Sequence, residues 1–80
     1  MTTLNLGNLA TFRLVVQRGS FSAAADALGI SQPAVSLQVR QLEQFLQTRL
    51  LERTGRGIKA TAAGMALLAH SEQIDRAVNS

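Results

Sequence analysis

The segment of residues 22–46 reads SAAADALGISQPAVSLQVRQLEQFL, and its first part predicts a short helix that ends in a tight turn. Ser22 is a good N-cap for a helix over about 23–28, because its hydroxyl can accept a backbone hydrogen bond from the first turn. Gly29 ends that helix, since glycine readily adopts the left-handed backbone of a helix C-terminus. A turn of about three residues, Gly29 to Ser31, then leads into a second helix.

The second helix of this segment has distinct apolar and polar faces. Ser31 is its predicted N-cap, and Pro33 falls in the first turn, where its missing N–H costs nothing. One apolar stripe at helical spacing consists of Val35, Val39, Leu42 and Leu46. The opposite side carries Pro33, Ser36, Leu37, Arg40, Gln41 and Gln44. Two helices joined by a short glycine-containing turn form a helix-turn-helix.

The flanking segments complete the predicted architecture. A first helix covers about 6–18, with Asn5 or Asn8 as its N-cap and Gly19 at its end. Its apolar residues at helical spacing are Leu6, Leu9, Phe12 and Val16. Residues 50–60 predict two short strands around the glycine-rich turn Thr54-Gly55-Arg56-Gly57.

The last segment predicts a long helix that Thr61 caps and that runs toward Val78. It is apolar almost all round over 62–69, which places Met65 and Leu68 in the predicted core. Beyond His70 it narrows to one stripe, which consists of Leu67, Ser71, Ile74 and Val78. A helix that is apolar on nearly all sides is expected to contact both the domain's own core and a second chain.

The predicted fold class is therefore mostly α: a winged helix-turn-helix with a three-helix core, a β-hairpin wing and a long C-terminal helix. Residues 1–60 form the winged helix-turn-helix domain in this prediction, and residues 61–80 form the linker, or dimerisation, helix.

Composition narrows the classes of function. Eighty residues and 8.6 kDa allow one small domain. The chain has no cysteine and one histidine, His70, so neither disulfides nor a cluster of metal-ligating side chains is expected. No apolar run approaches the roughly 18 residues of a membrane span, and no signal-peptide pattern is present. The few acidic residues form no catalytic arrangement with His70, so we expect neither an enzyme nor a cofactor.

The net charge of +3 is concentrated in one place. Residues 49–59 contain four basic side chains and one acid, Glu52, while the remaining residues sum to zero. The basic residues of this stretch are Arg49, Arg53, Arg56 and Lys59. A short basic run is typical of a solvated loop, but next to a helix-turn-helix it favours an anionic partner, double-stranded DNA.

Each predicted element has a physical role on duplex DNA. The second helix of the pair fits the major groove, where Gln32 can bond an adenine edge and Ser36 can donate or accept. Pro33 and Leu37 suit contact with a thymine methyl, so the pattern predicts a preference for A·T pairs. Arg40, one turn further on, is better placed for a phosphate.

The other predicted DNA contacts are made with the backbone. The helix N-terminus at Ser22 can offer backbone N–H groups to a phosphate. The arginines of the hairpin can lie on the flanking backbone or in the minor groove, where the negative potential is strong.

Several of these residues also have ordinary structural interpretations. Gln32, Ser36 and Gln41 are compatible with a solvated helix face, and Leu37 with coverage by a neighbouring chain. Arg53 could form an ion pair with Glu43 or Glu52 instead of contacting DNA, and His70 is expected to be exposed or to face a partner. The alternative function is a winged-helix dimerisation module whose polar helix contacts protein.

The chain contains a long, ordered series of motifs: FSAAADAL at 21–28, SQPAVS at 31–36, Leu42-Glu43, LLER at 50–53 and TAAG at 61–64. This series resembles the N-terminal domain of LysR-type transcriptional regulators. The similarity covers residues 4–80 and is far more specific than a lone helix-turn-helix. It departs from the family at Leu37, where many members have Arg or Lys, at Gln47, where many have Gly, and at Leu51, where many have Phe.

The resemblance implies roles for particular residues. Those expected at the bases are Gln32, Pro33, Ser36 and Leu37. Those expected at the backbone or minor groove are Ser22, Ser31, Arg40, Arg53, Arg56 and Lys59. The resemblance also implies a homodimer through the C-terminal helix, bound to an interrupted inverted repeat, and a tetramer in a full-length protein.

Members of this family are usually longer, with a C-terminal inducer-binding domain of which these 80 residues hold nothing. We therefore expect a DNA-binding fragment of a cytoplasmic bacterial regulator that associates with the nucleoid when bound. No membrane partner is expected.

Overall fold

The computed structural model describes the backbone of residues 5–79 and the side-chain surroundings of residues 5–70. Its elements in chain order are α1 (Leu6–Arg18), α2 (Phe21–Leu28), α3 (Gln32–Leu46), β1 (Leu51–Thr54), β2 (Gly57–Ala60) and α4 (Ala62–Asn79). The strands pair antiparallel as a hairpin. The predicted fold class, a mostly helical winged helix-turn-helix, is confirmed.

Capping side chains set where the first two helices begin. Asn5 caps α1, because its Oδ1 accepts from the Asn8 N–H at 3.1 Å. The prediction for α2 was wrong by two residues: Ser20, not Ser22, is the N-cap, and its Oγ accepts from the Ala23 N–H at 2.9 Å. Ser20 has the extended backbone that an N-cap requires, whereas Ser22 already lies in the first helical turn.

The remaining predicted caps are confirmed. Ser31 accepts from the Ala34 N–H at 3.2 Å, and Gly19 and Gly29 end their helices in the left-handed conformation. Thr61 Oγ1 accepts from the Gly64 N–H at 3.1 Å at the start of α4. Gln47 ends α3 with a φ of 54°, a conformation that glycine adopts with less strain.

The core lies among the three N-terminal helices and the start of the hairpin. Its buried apolar residues are Leu9, Phe12, Val15, Ala24, Ala25, Val35, Val39, Leu42, Leu50 and Leu51. The predicted stripe of α3 is therefore buried except at its end, where Leu46 is 36% exposed. Leu46 is the last residue of α3, and only the residues before it face the core.

The start of α4 packs through one side only. Gly64 is buried there, and Leu67 and Leu68 pack against the core. Met65, predicted to be a core residue, is 60% exposed, because the 100° step per residue turns it away from that side.

Two side-chain pairs join α1 to α3 through hydrogen bonds. Thr11 Oγ1 donates to Gln38 Oε1 at 2.5 Å, and Asn8 Nδ2 donates to Gln41 Oε1 at 3.3 Å. Asn8 and Thr11 are buried, so these bonds satisfy polar groups that burial would otherwise penalise. Because hydrogen bonds are directional, the two pairs fix the rotation of α3 against α1.

The backbone of Leu50 connects α3, the hairpin and α4. Glu43 Oε2 accepts from the Leu50 N–H at 2.8 Å and from the Leu51 N–H at 3.4 Å. The Leu50 carbonyl accepts from the Thr61 N–H at 3.0 Å. The same carbonyl lies against Gly64, where an added Cβ would stand 2.3 Å from the oxygen.

Replacing Gly64 by alanine tests this close approach. We expect Gly64→Ala to lower the free energy of unfolding by about 1–3 kcal/mol, because either Leu50 or α4 must shift. Chemical denaturation of both proteins measures the difference. Gly55→Ala is the matched control, since a Cβ at Gly55 meets nothing within 4 Å. Equal stability of Gly64→Ala and the unaltered chain would contradict the prediction.

Candidate nucleic-acid interface

One open groove on α3 collects the side chains that the sequence predicts at DNA bases. Gln32, Pro33 and Leu37 are exposed, Ser36 is half-buried, and all of them line the groove together with Arg40. Leu37 is 51% exposed, although leucine usually lies in a core. The structure thus brings these residues onto one helix face and leaves that face accessible.

The polar residues of α3 divide between two sides. Gln38 and Gln41 turn toward α1, where their amide oxygens accept from Thr11 and Asn8. Gln41 therefore contacts α1 through its amide oxygen, although the residue is exposed. Helical spacing predicts that Gln41 shares a polar side with Ser36. Spacing alone does not show which neighbouring helix the Gln41 amide contacts.

The register of the hairpin separates its side chains between two faces. Arg53 pairs with Ile58, and Glu52 pairs with Lys59. Since neighbouring residues of a strand point to opposite faces, Arg53 and Ile58 share one face, and Glu52 and Lys59 share the other. On the second face Lys59 Nζ lies 3.4 Å from Glu52 Oε1.

Arg53 contacts an aromatic ring rather than a carboxylate. Its Cζ lies 6.0 Å from the centroid of the Phe21 ring, at the outer limit of a cation–π contact. The two acids weighed as its partners have other contacts: Glu52 pairs with Lys59, and Glu43 accepts from the backbone of Leu50. Phe21 was not singled out as a site residue, because no local pattern in the sequence connects it to Arg53.

The tip of the hairpin is shaped by Thr54, which sequence reasoning also missed. Thr54 Oγ1 accepts from the Arg56 N–H at 3.2 Å and donates to the Gly57 carbonyl at 3.3 Å. Gly57 has a φ of 136°, which glycine adopts and L side chains rarely do. Arg56 therefore sits at the exposed end of a closed turn.

A second depression connects the hairpin to the helix-turn-helix. It is lined by Gly19, Ser20, Phe21, Ser22, Gln32, Arg53, Thr54, Gly57 and Ile58. Ser22 is exposed in the first turn of α2, and Gln32 is the first residue of α3. The first turn of α2, the start of α3 and Arg53 of the wing therefore meet at one surface.

The predicted dimer stripe is only partly described. Leu67 is half-buried against the chain's own core, while the side chains of Ser71, Ile74 and Val78 lie outside the described residues. His70 is exposed, as one of its two predicted interpretations required.

The described part of the chain contains neither a cluster of metal ligands nor a membrane-spanning helix. No three His, Cys, Asp or Glu side chains among the described residues could hold a metal ion together. None of the helices described here combines the length and apolar character that crossing a membrane needs.

Comparison with known proteins identifies the family. Residues 6–65 match the sequence profile of the bacterial regulatory helix-turn-helix proteins of the lysR family. An uncharacterized HTH-type transcriptional regulator in the ibpB-leuC intergenic region of Azotobacter vinelandii is 45% identical over 71 residues, covering 89% of this chain and 49% of that protein. A probable RuBisCO transcriptional regulator of Nostoc sp. is 46% identical over 69 residues, covering 86% and 20%. The chain thus spans half or less of the length of these relatives.

Solved structures agree with the sequence match. The crystal structure of the BenM_DBD/catB site 1 DNA complex superposes with a TM-score of 0.87 at 37% identity, covering 95% of this chain and 84% of that chain. Full-length CbnR complexed with its target DNA gives a TM-score of 0.83 at 40% identity, covering 91% and 25%. With the sequence profile, the shared fold shows that this chain belongs to the lysR family of bacterial regulatory helix-turn-helix proteins.

Proposed function

We propose that this chain is the sequence-specific, double-stranded DNA-binding module of a bacterial transcriptional regulator, and not an enzyme. The observation that carries the proposal is the accessible groove of α3 beside the arginine-bearing hairpin. An amide, a hydroxyl and an exposed leucine on one helix face can contact base edges, while the neighbouring cations can neutralise phosphates. The solved relatives include DNA-binding domains of this fold in complex with DNA.

In this proposal α3 lies in the major groove, with Gln32, Pro33, Ser36 and Leu37 at the bases. Arg40, at the end of the groove on α3, contacts a phosphate of the DNA backbone next to those bases. The exposed Leu37 favours a thymine methyl, because an apolar side chain gains most from an apolar base substituent. This assignment predicts A·T pairs where α3 contacts the bases.

The backbone contacts come from the starts of α2 and α3 and from the wing. The Ser31 hydroxyl accepts the Ala34 N–H and still has its own hydrogen to donate to a phosphate. Ser22 lies exposed beside Gln32 and Arg53 and faces the same phosphate region. Arg53 and Arg56 lie on the backbone or in the minor groove.

Lys59 differs from the two wing arginines because it already has an anionic partner. To reach a phosphate, its ammonium must share or leave the carboxylate of Glu52, 3.4 Å away. Lys59 therefore contributes less to DNA affinity than its formal charge indicates.

The division of the chain into a DNA-binding domain (1–60) and a linker helix (61–80) belongs to the same proposal. The linker pairs with its counterpart in a homodimer through Leu67, Ser71, Ile74 and Val78, so the target is an interrupted inverted repeat. In a full-length regulator, we propose tetramers, an inducer-binding domain beyond these residues, and a cytoplasmic location at the nucleoid.

Selection from a random pool of duplexes tests the proposed function. We expect recovered sequences to contain an interrupted inverted repeat, with A·T pairs in the half-site contacted by α3. The measurement is sequencing of the bound fraction after successive rounds. Recovery of G-rich half-sites would contradict the base assignments, and recovery of no common sequence would favour a module whose polar helix contacts protein.

Variants on the selected duplex separate base contacts from phosphate contacts. Gln32→Ala should weaken binding to that duplex by about 1–3 kcal/mol and leave binding to random DNA nearly unchanged. Arg56→Ala should weaken binding to both duplexes equally. It should also lower the slope of log affinity against log salt concentration by about one, the contribution of one phosphate contact. Titration of each duplex at several salt concentrations measures both effects; Gln44→Ala, on an exposed residue outside the groove, is the control. If both variants bind the selected duplex as tightly as the unaltered chain, the assignment of these contacts is contradicted.

Removing the partner of Lys59 tests its reduced contribution. Glu52→Gln should raise affinity for all duplexes and steepen the salt dependence, because the freed ammonium can then neutralise a further phosphate. Asp26→Asn is the matched control, since it removes one exposed negative charge from α2, outside the wing. Equal effects of the two substitutions would show that only net charge matters.

A further inference from the structure

Phe21 lies at the junction of the helix-turn-helix and the wing. It is the first residue of α2, half-buried, and it packs against the core. Its side chain lines the depression that contains Ser22 and Gln32. It also lines another depression, which lies between α3 and β1 and contains Ser36 and Arg40. Two wing residues, Arg53 and Ile58, line both depressions as well.

The hairpin presents one face to this ring. Arg53 and Ile58 are register partners, so their side chains leave the hairpin on the same side. Ile58 packs against the core, which brings that side of the hairpin down onto α2. The guanidinium carbon of Arg53 then lies 6.0 Å from the centroid of the Phe21 ring. The ring limits the orientations available to a side chain that is otherwise exposed.

The other wing arginine provides a contrast. Arg56 stands at the exposed tip, between Gly55 and Gly57, and among the described residues its side chain has neither a ring nor a carboxylate partner. Arg56 must therefore lose its rotamer freedom when it contacts a phosphate, which weakens binding. Part of that loss is already incurred by Arg53 in the free protein.

We propose that Phe21 is a positioning residue for DNA binding: its ring holds the Arg53 guanidinium between the wing and the start of α3, oriented for the backbone that passes Ser22 and Gln32. The inference rests on the proposed function. It divides the basic wing into one preorganised arginine, Arg53, and one arginine without a side-chain contact among the described residues, Arg56. The two should therefore respond differently to changes at Phe21.

A double-mutant cycle on the selected duplex measures the coupling. Phe21→Leu keeps an apolar side chain and removes the ring, and we expect it to weaken binding about two- to fivefold, the range of an exposed cation–π contact. In an Arg53→Ala background the same substitution should change binding by less than its effect alone. In an Arg56→Ala background it should retain its full effect. Phe21→Tyr, which keeps the ring, should bind like the unaltered chain.

A second measurement reports the contact without DNA. The side-chain protons of Arg53 should show upfield NMR shifts in the free protein and in Phe21→Tyr, because they lie over the ring. The shift should vanish in Phe21→Leu. Thermal unfolding followed by circular dichroism establishes that each variant is folded. If Phe21→Leu does not fold, the shift of the Arg53 protons in the unaltered chain and in Phe21→Tyr decides the question.

Two results would overturn the inference. One is a Phe21→Leu effect that is the same in the Arg53→Ala and Arg56→Ala backgrounds, since Phe21 would then act on the fold alone. The other is unshifted Arg53 protons in the unaltered chain. Failure of the unaltered chain to select any duplex is a different outcome, because it rejects the proposed function and not the contact between ring and guanidinium.

Discussion

The geometry of the candidate interface depends on how the chain is held as it passes Leu50. This residue is 1% exposed, and a buried backbone N–H without an acceptor is strongly unfavourable. Glu43 supplies the acceptor from α3, and the Leu50 carbonyl accepts from Thr61 at the start of α4. One peptide segment thus joins α3, the hairpin and α4. The position of the wing beside α3 follows from this connection.

The rotation of α3 has a separate cause. Apolar contacts are non-directional and would tolerate some sliding or turning of one helix against another. The hydrogen bonds of Gln38 and Gln41 to α1 specify a single orientation, because each amide must meet its partner. The face that carries Gln32, Ser36 and Leu37 is consequently presented outward. Hydrogen bonds from one side of α3 to the buried Asn8 and Thr11 of α1 thereby set which residues the other side offers.

Two of the basic side chains of the wing already have contacts within the chain. Lys59 and Glu52 form an ion pair on one face of the hairpin, and Arg53 lies over the Phe21 ring on the other. Arg56 remains as the cation of the exposed tip. A modest net charge can therefore support binding to a polyanion, because position and preorganisation matter more than the total.

Most of the fold follows from local patterns in the sequence. The apolar stripe of α3, the glycines at 19 and 29, and the caps at Ser31 and Thr61 depend on neighbours a few residues away, so they were predictable. The groove on α3 was predictable for the same reason, since helical spacing alone places Gln32, Ser36 and Leu37 on a common side. Gln32 and Ser36 also lie within the SQPAVS motif that resembles the family, whereas Leu37 departs from it.

Tertiary structure decided what depends on residues distant in the chain. The sequence predicts Ser22 as the N-cap of α2, whereas the cap is Ser20, which has the extended backbone and accepts from the Ala23 N–H. The packing of α4 through Gly64 left Met65 exposed, and the core ended before Leu46. From the sequence, Arg53 could pair with Glu43 or Glu52. The register of the hairpin instead places it over Phe21, 32 residues earlier. Local spacing determines which face a side chain occupies; only the packed fold determines what that face meets.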